Sequence, residues 1–353
     1  MVSKFLNELK FTTNGIRGIA NEDLTPHVCM KIGLAFGHFL KPGAKVIIGT
    51  DYRISGHMIK NALVSGLTST GVNVVDGSYT PTPALQKFVK DNPGKFDMGL
   101  IITASHNPPE FNGIKVIDAD GIEIPPEKES KVEAYYKTIT DKTSLPSWDQ
   151  IGTLTDAHGV NNYYVDSILK NVNIDKEGSK KLNIVVDPGN GATCTYIYDL
   201  LARMGISKNA CISDEPDGSF PNRVSEPTPD SLQDLSEKVI AEGASFGIGF
   251  DGDGDRAILI DNDGKFHWGD ESFALILNDL LQDYKGWVVT PVSSSVLVQE
   301  VVETHGAKLE WTKVGSITVS RRMLELDAII AGEENGGIFY KPHQPVRDGG
   351  MAL

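Results

Sequence analysis

One plan of chain recurs three times in this sequence, and it limits the folds open to it. An apolar strand enters a loop, an amphipathic helix follows, and a later apolar strand runs straight into a polar loop. The first instance opens with KVIIGT at 45–50. Its helix lies in SGHMIKNALVSGLTSTG at 55–71, with Met58, Ile59, Ala62, Leu63 and Leu67 on one stripe. Ser55 is placed to cap that helix and Gly71 to end it. FDMGLIIT at 96–103 then runs into ASHNP. The second instance opens with LNIVVDPGNGA at 182–192. Its helix carries Tyr196, Ile197, Leu200, Leu201 and Met204 before Gly205, and ASFGIGF at 244–250 runs into DGDGDR. The third opens with GWVVTPVSSS at 286–295. Its helix uses Val298, Val301 and Val302 and stops near Gly306, and LDAIIA at 326–331 runs into GEENGG.

Continuous apolar strands alternating with amphipathic helices imply α/β units whose sheets are buried on both faces. Each instance is too long for a solenoid repeat. The expected fold is therefore α/β: three tandem related domains with mixed sheets around a common active-site cleft. The expected domains are 1–152, 153–257 and 258–353, divided near SLPSWDQIG and just after Arg256. In each, the unusual residues follow the C-terminal end of a strand, where α/β sheets bind ligands.

The balance of 33 Lys+Arg against 47 Asp+Glu, a formal net charge of −14, disfavours nucleic acid and anionic membrane as partners. It leaves room for a local basic pocket that takes a small phosphate. Cys29, Cys194 and Cys211 show no metal-ligand spacing, and an odd count fits a reduced, cytoplasmic compartment. The start, MVSKFLNELK, lacks the apolar core of a signal peptide, and no run of about eighteen apolar residues points to a membrane span.

The polar loops carry the chemistry. In DGDGDR, Asp251, Asp253 and Asp255 place three carboxylates within five residues, and Gly252 and Gly254 let the backbone curl so that all three converge. Without a cation they repel one another. Mg²⁺ suits such an oxygen site beside a phosphate. A calcium EF-hand fails, because Arg256 and Asn262 stand where it needs Gly and Glu. In TASHNP, Ser105 lacks the G-x-S-x-G elbow of an acyl-transfer nucleophile. Adjacent side chains on an extended segment point apart, so His106 is poorly placed as its direct base. Phosphoryl transfer asks less of a base and more of positioning, metal and cations. Taken alone, Ser105 reads equally well as a turn residue before Asn107-Pro108. Lys115, within NGIKV, is either an exposed-face strand residue or a group that folds back on a phosphate. Arg17, in TTNGIRGIA, lies in a glycine-flanked loop that lets a guanidinium approach a phosphate. GEENGG offers Glu333, Glu334 and Asn335 for sugar hydroxyls, although a plain turn explains it as readily. DPGNGA reads as a tight βα turn, since a full G-x-G-x-x-G is missing.

In their order, TTNGIRG, TASHNP with NGIKV, DGDGDR and GEENGG resemble the α-D-phosphohexomutase family, the phosphoglucomutase/phosphomannomutase enzymes, over the whole chain. The wording is closest to archaeal-type members. The resemblance implies that Ser105 is the phosphoserine of a resting enzyme. It implies Mg²⁺ on Asp251, Asp253 and Asp255 with the serine phosphate as a further ligand. Arg17, His106, Lys115 and Arg256 would surround the transferring phosphoryl group. Glu333, Asn335, Lys313 and Gly315 would bind the sugar phosphate. Asn335 stands where many members have Ser, and Gly337 replaces a His common in bacterial members. The implied reaction interconverts hexose 1-phosphate and hexose 6-phosphate through a hexose bisphosphate, which also acts as activator, in a monomer or homodimer.

Family members carry a fourth, C-terminal domain whose Arg/Ser/Thr-rich loop grips the second phosphate. These residues stop at PVRDGGMAL with no such loop among them, so the chain as it stands is expected to be poorly active. Two other readings share the loops: a metal-dependent sugar-phosphate phosphatase, in which water discharges the serine, and a non-catalytic sugar-phosphate-binding protein.

Overall fold

Runs such as KVIIGT and MGLII are buried along almost their whole length, as strands covered on both faces must be. The structure is a computed structural model that describes residues 4–5, 8–12, 15–206 and 208–353. It divides into two compact units, Met1–Val160 and Asn161–Leu353.

In the first unit, β1 (Ile16–Ile19), β2 (Lys45–Thr50), β3 (Asn73–Tyr79), β4 (Met98–Ile102), β5 (Phe111–Asp118) and β6 (Leu154–Asp156) form one sheet in the order β1-β5-β4-β2-β3-β6. β2 runs parallel to β3 and β4, while β5 runs antiparallel to β4 and β1. The helices are α1 (Pro26–Leu40), α2 (Gly56–Ser69), α3 (Thr82–Lys90) and α4 (Pro126–Thr138). Thr25 caps α1 by accepting from the Val28 N–H, with Pro26 in the first turn. Ile32 and Phe36 of α1 and Leu63 of α2 close over Val46, Ile48, Leu100 and Ile102. Ser55 stands at the start of α2 but does not cap it. Its backbone is already helical, so its hydroxyl turns away and accepts from Asn112 Nδ2 at 2.8 Å. That bond ties the loop after β2 to β5.

On α4, burial pushes the Glu129 carboxyl up to about 7, helped by Glu133 and Glu127. Between its ordinary value near 4.5 and about 7 the folded chain therefore holds more protons there than the unfolded chain. Stability from this group is thus full at low pH and is lost as pH rises through that window. Glu129→Gln is expected to raise the melting temperature of the first unit by roughly one or two degrees at pH 8 and by nothing at pH 4.5. Calorimetric scans of both proteins at the two pH values check it.

The second unit holds two sheets. The first contains β7 (Asn183–Asp187), β8 (Lys208–Cys211), β9 (Phe246–Phe250), β10 (Ala257–Asp261) and β11 (Phe266–His267), in the order β11-β10-β9-β7-β8. The second contains β12 (Trp287–Pro291), β13 (Lys308–Thr312), β14 (Ile330–Gly332), β15 (Ile338–Tyr340) and β16 (Gln344–Arg347), in the order β13-β12-β14-β15-β16. Both mix parallel and antiparallel pairs. Their helices are α5 (Val160–Leu169), α6 (Lys176–Ser179), α7 (Ile197–Met204), α8 (Gln233–Glu242), α9 (Gly269–Leu280), α10 (Val296–Thr304), α11 (Ser316–Glu325) and α12 (Gly349–Ala352). The α7 stripe buries Ile197, Leu200 and Leu201, and Gly205 ends the helix in the left-handed conformation.

Two sheet facts bear on the expected domain limits. β6 pairs with β3, so the first sheet runs on to Asp156 rather than stopping at 152. β10 pairs with β9 from Ala257 to Asp261, so a division at 257 cuts a hairpin. DGDGDR had the look of a terminus because polar residues end an apolar run, but here it turns the chain back into the same sheet. Among the described residues no helix is long and apolar enough to cross a membrane.

Candidate active site

In the first unit the chain leaves β4 through Thr103 and Ala104 into a turn that holds Ser105 at φ +53, a backbone conformation that non-glycine residues rarely adopt. Such a position costs about 1–3 kcal/mol and persists only where its surroundings fix it. Here they do. The Ser105 N–H donates to Thr103 Oγ1 at 2.8 Å, and Thr103 Oγ1 donates to Asp51 Oδ2 at 2.6 Å. Arg53, whose side chain is wholly buried, pairs with Asp51 at 3.2 Å. Its Nη2 donates to the carbonyls of Ser105 (2.9 Å) and Asn107 (2.6 Å), and its Nη1 to those of Pro108 (2.6 Å) and Phe111 (3.0 Å).

Because the segment is a turn and not extended chain, Ser105 and His106 do not point apart. His106 Nδ1 lies 3.4 Å from Ser105 Oγ, which corrects the expectation that the two diverge. Arg17 also differs from its expected setting. It sits on β1 opposite Gly113 rather than in a loop, and its Nη1 donates to Asn107 Oδ1 at 2.6 Å. The strand wins because β1 is hydrogen-bonded to β5 along its length. Of the TTNGIRG motif, Thr13 and Asn14 lie outside the described residues. Lys115 lies on β5 opposite Ile101 and is buried, so the exposed-face reading of it fails.

In the second unit Asp251, Asp253 and Asp255 form the connection between β9 and β10. All three are buried, and each offers a carboxylate oxygen within 4.8 Å of the other two. Gly254 takes φ +73 and supplies the curl. Gly252 is not left-handed. Its carbonyl accepts from the Ala192 N–H, so DPGNGA packs behind the metal loop as a βα turn. Two guanidiniums answer the acids. Arg256 Nε lies 3.2 Å from Asp251 Oδ2, and Arg347 Nη2 donates to Asp255 Oδ2 at 2.7 Å. Three buried carboxylates with converging oxygens fit a hard cation, the oxygen-ligand chemistry of Mg²⁺.

The GEENGG loop follows β14. Glu333 is buried, and its Oε2 lies 3.8 Å from Arg347 Nη1. Burial pushes its carboxyl up to about 7, against the pull of Arg347. Asn335 Oδ1 accepts from the Gly337 N–H at 3.1 Å, and Glu334 accepts from Ser293 Oγ at 2.8 Å. Gly337 is a site of close approach. A Cβ there would stand 2.6 Å from Arg347 Cδ and 2.8 Å from Glu333 Oε2. Lys313 is exposed just beyond β13, and Gly315 begins α11. Both lie at the same end of the parallel strands β12, β13 and β14 as Glu333, with no hydrogen bond between them and the GEENGG loop among those described. Reading by motif passed over Arg347. It joins Asp255 of the metal loop to Glu333 of the sugar loop, and its neighbour Asp348 is fixed from four sides. Asp348 accepts from Tyr164, Gln344 Nε2 and the Met351 N–H, and lies 2.9 Å from His343 Nδ1. Burial alone would raise its carboxyl, but the His343 ring and these bonds hold it below the usual range. The available signal was an Arg-Asp-Gly run directly after a strand.

Comparison with known proteins agrees with this architecture. Three family models match in order: the phosphoglucomutase/phosphomannomutase α/β/α domain I at residues 8–143, domain II at 162–264 and domain III at 268–353. A phosphoglucomutase/phosphomannomutase of Thermococcus kodakarensis is 40% identical over 97% of this chain and 75% of its own. A phosphoglucosamine/phosphogalactosamine mutase of Sulfurisphaera tokodaii is 40% identical with the same coverage. The crystal structure of a Burkholderia thailandensis phosphoglucomutase/phosphomannomutase family protein superposes with a TM-score of 0.87 at 27% identity, covering 100% of this chain and 76% of that one. With its length matched domain by domain and its relatives this similar, the chain belongs to the phosphoglucomutase/phosphomannomutase family.

Proposed function

We propose that the protein is a phosphohexomutase that moves phosphate between O1 and O6 of a hexose by way of Ser105. The observation that carries this reading is the serine itself, a buried residue in a costly backbone conformation with a histidine nitrogen 3.4 Å from its hydroxyl oxygen. A chain does not keep a strained, buried serine for turn geometry alone.

In the first half-reaction the free hydroxyl of a hexose monophosphate attacks phosphorus on phosphorylated Ser105. The P–Oγ bond breaks, the hydroxyl proton leaves, and a hexose bisphosphate forms. In the second half the bisphosphate, turned end for end, returns its other phosphoryl group to Ser105 Oγ. His106 is the group nearest Oγ and serves as the store for its proton. Lys115 and Arg17 place positive charge on the transferring group, and Arg256 does so from the metal loop. Mg²⁺ bound by Asp251, Asp253, Asp255 and the serine phosphate would neutralise charge on the phosphoryl oxygens. Glu333, with its carboxyl near half protonation at neutral pH, both donates to and accepts from vicinal sugar hydroxyls, and Asn335 supplies an amide beside it. Lys313 and Gly315 meet the sugar phosphate from the neighbouring strand. The substrates are hexose phosphates of the glucose, mannose or glucosamine type, in a reduced cytoplasmic setting.

The test follows phosphorus by NMR with Mg²⁺ and each of the three hexose 1-phosphates, with a trace of the matching bisphosphate. A mutase is expected to build up the 6-phosphate with bisphosphate detectable throughout. Steady release of inorganic phosphate without 6-phosphate would establish the phosphatase reading. Tight binding with no phosphate ever found on Ser105 would establish the binding-protein reading.

A further inference from the structure

We infer that Arg53, acting with Asp51 and Thr103, is a positioning unit for phosphoryl transfer, holding Ser105 in its reactive conformation. This rests on the reading of Ser105 as phosphate carrier. None of the three bears a reacting group, and DYR reads from sequence as an ordinary loop after β2. The geometry assigns them a narrower task. Arg53 spends four hydrogen bonds on backbone carbonyls, and all four belong to one short stretch, from Ser105 to Phe111. Its fifth contact is Asp51, which also accepts from Thr103 Oγ1 and from the Arg53 N–H at 2.9 Å. Thr103 in turn accepts the Ser105 N–H. The Ser105 residue is thus held at both its ends, the N–H by Thr103 and the C=O by Arg53. A residue clamped at both peptide planes has its φ and ψ set from outside, and that is what a strained conformation needs in order to persist. The clamp is itself fixed, since the Asp51 N–H donates to the Ile102 carbonyl at the end of β4. Arg53 and Asp51 are both buried, so solvent does not loosen the pair. A planar guanidinium reaches four carbonyls and a carboxylate together, and an ammonium does not.

The expected signature is loss of rate without loss of substrate binding, because small misplacement of a reacting group costs about 100-fold. Three variants test it: Arg53→Lys, Thr103→Val and Thr103→Ser. The readouts are kcat and KM for the mutase reaction and the single-turnover rate at which dephosphorylated Ser105 takes phosphate from hexose bisphosphate. Circular dichroism and melting temperature select the variants that fold. Thr103→Val keeps the side-chain shape and the Asp51–Arg53 pair, so it serves if Arg53→Lys does not fold. Thr103→Val is expected to slow phosphorylation of Ser105 roughly 10- to 100-fold with KM within about threefold, and Thr103→Ser to restore the rate to within about threefold. A folded Thr103→Val or Arg53→Lys protein with kcat within twofold of the parent overturns the inference, as does a loss carried entirely by KM. Ser105→Ala separates the two failures. If that variant stays active the carrier assignment itself is wrong. If it is dead while the clamp variants keep full rate, only the clamp is wrong.

Discussion

Ser105→Ala is expected to lower phosphoryl transfer at least about 1,000-fold while leaving the protein folded. The chemistry explains the size of the loss. Without Oγ no covalent phosphoenzyme forms, and a single-site transfer between O1 and O6 would need the hexose phosphate to attack itself across the ring. The structure explains why the fold survives. The contacts that hold residue 105 use its backbone, the N–H to Thr103 and the carbonyl to Arg53, and an alanine keeps both. Alanine at φ +53 is strained as serine is, so the change adds little new cost. The lost side-chain contact is His106 Nδ1 at 3.4 Å, which is long for a hydrogen bond. The melting temperature is therefore expected to move by no more than about two degrees. Peptide mass analysis of the parent should find phosphate on the peptide bearing Ser105, and the alanine variant should have none there. Full turnover in the variant, or phosphate on another residue of the parent, would remove Ser105 from the mechanism.

Much of this site is written in the sequence in a form that spacing alone reveals. Three aspartates in five residues after a buried strand have few other uses, and the structure brings their oxygens together in a buried cluster. The strands and helices were legible for the same reason: KVIIGT and MGLII are apolar throughout, and a chain must cover both their faces. What escaped the sequence was contact between segments far apart in it. Arg53 meets Phe111 across 58 positions, and Arg347 meets Asp255 across 92. Neither arginine lies in a motif, and each is recognisable only once sheet order sets its neighbours. The serine loop shows the same limit at short range. The expectation that Ser105 and His106 diverge assumed extended chain, and a left-handed φ at one residue reverses it. The position of Arg17 on a strand follows from β1 pairing with β5, a partner about one hundred residues away. The divisions between domains were blurred because a polar hairpin loop and an interdomain linker have the same composition.

Asp253→Asn is expected to weaken Mg²⁺ binding roughly 10- to 100-fold and to lower activity in step. Of the three acids Asp253 is the informative one to change. Arg256 answers Asp251 and Arg347 answers Asp255, so altering either of those also strands a buried guanidinium. Asp253→Asn leaves both pairs in place and removes one negative charge from a cluster whose oxygens lie within 4.8 Å of one another. Two effects with opposite consequences follow. The cation loses a charged ligand, so its affinity falls. The metal-free protein loses a like-charge repulsion in a buried site, so its stability does not fall and is expected to rise slightly. Ligand linkage then makes the prediction sharp. Mg²⁺ at 100 times its dissociation constant stabilises a folded protein by about 2.7 kcal/mol, and a 100-fold weaker site at the same concentration gives only about 0.4 kcal/mol. The parent should therefore gain several degrees in melting temperature on adding Mg²⁺, and Asp253→Asn should gain almost nothing while starting no lower in the absence of metal. Titration calorimetry gives the affinity, and paired melting curves with and without Mg²⁺ give the two stability terms. Because the melting shift needs no turnover, it tests the loop apart from catalysis. Equal Mg²⁺ affinity and equal melting shifts in the two proteins would mean that Asp251, Asp253 and Asp255 shape a turn and hold no cation.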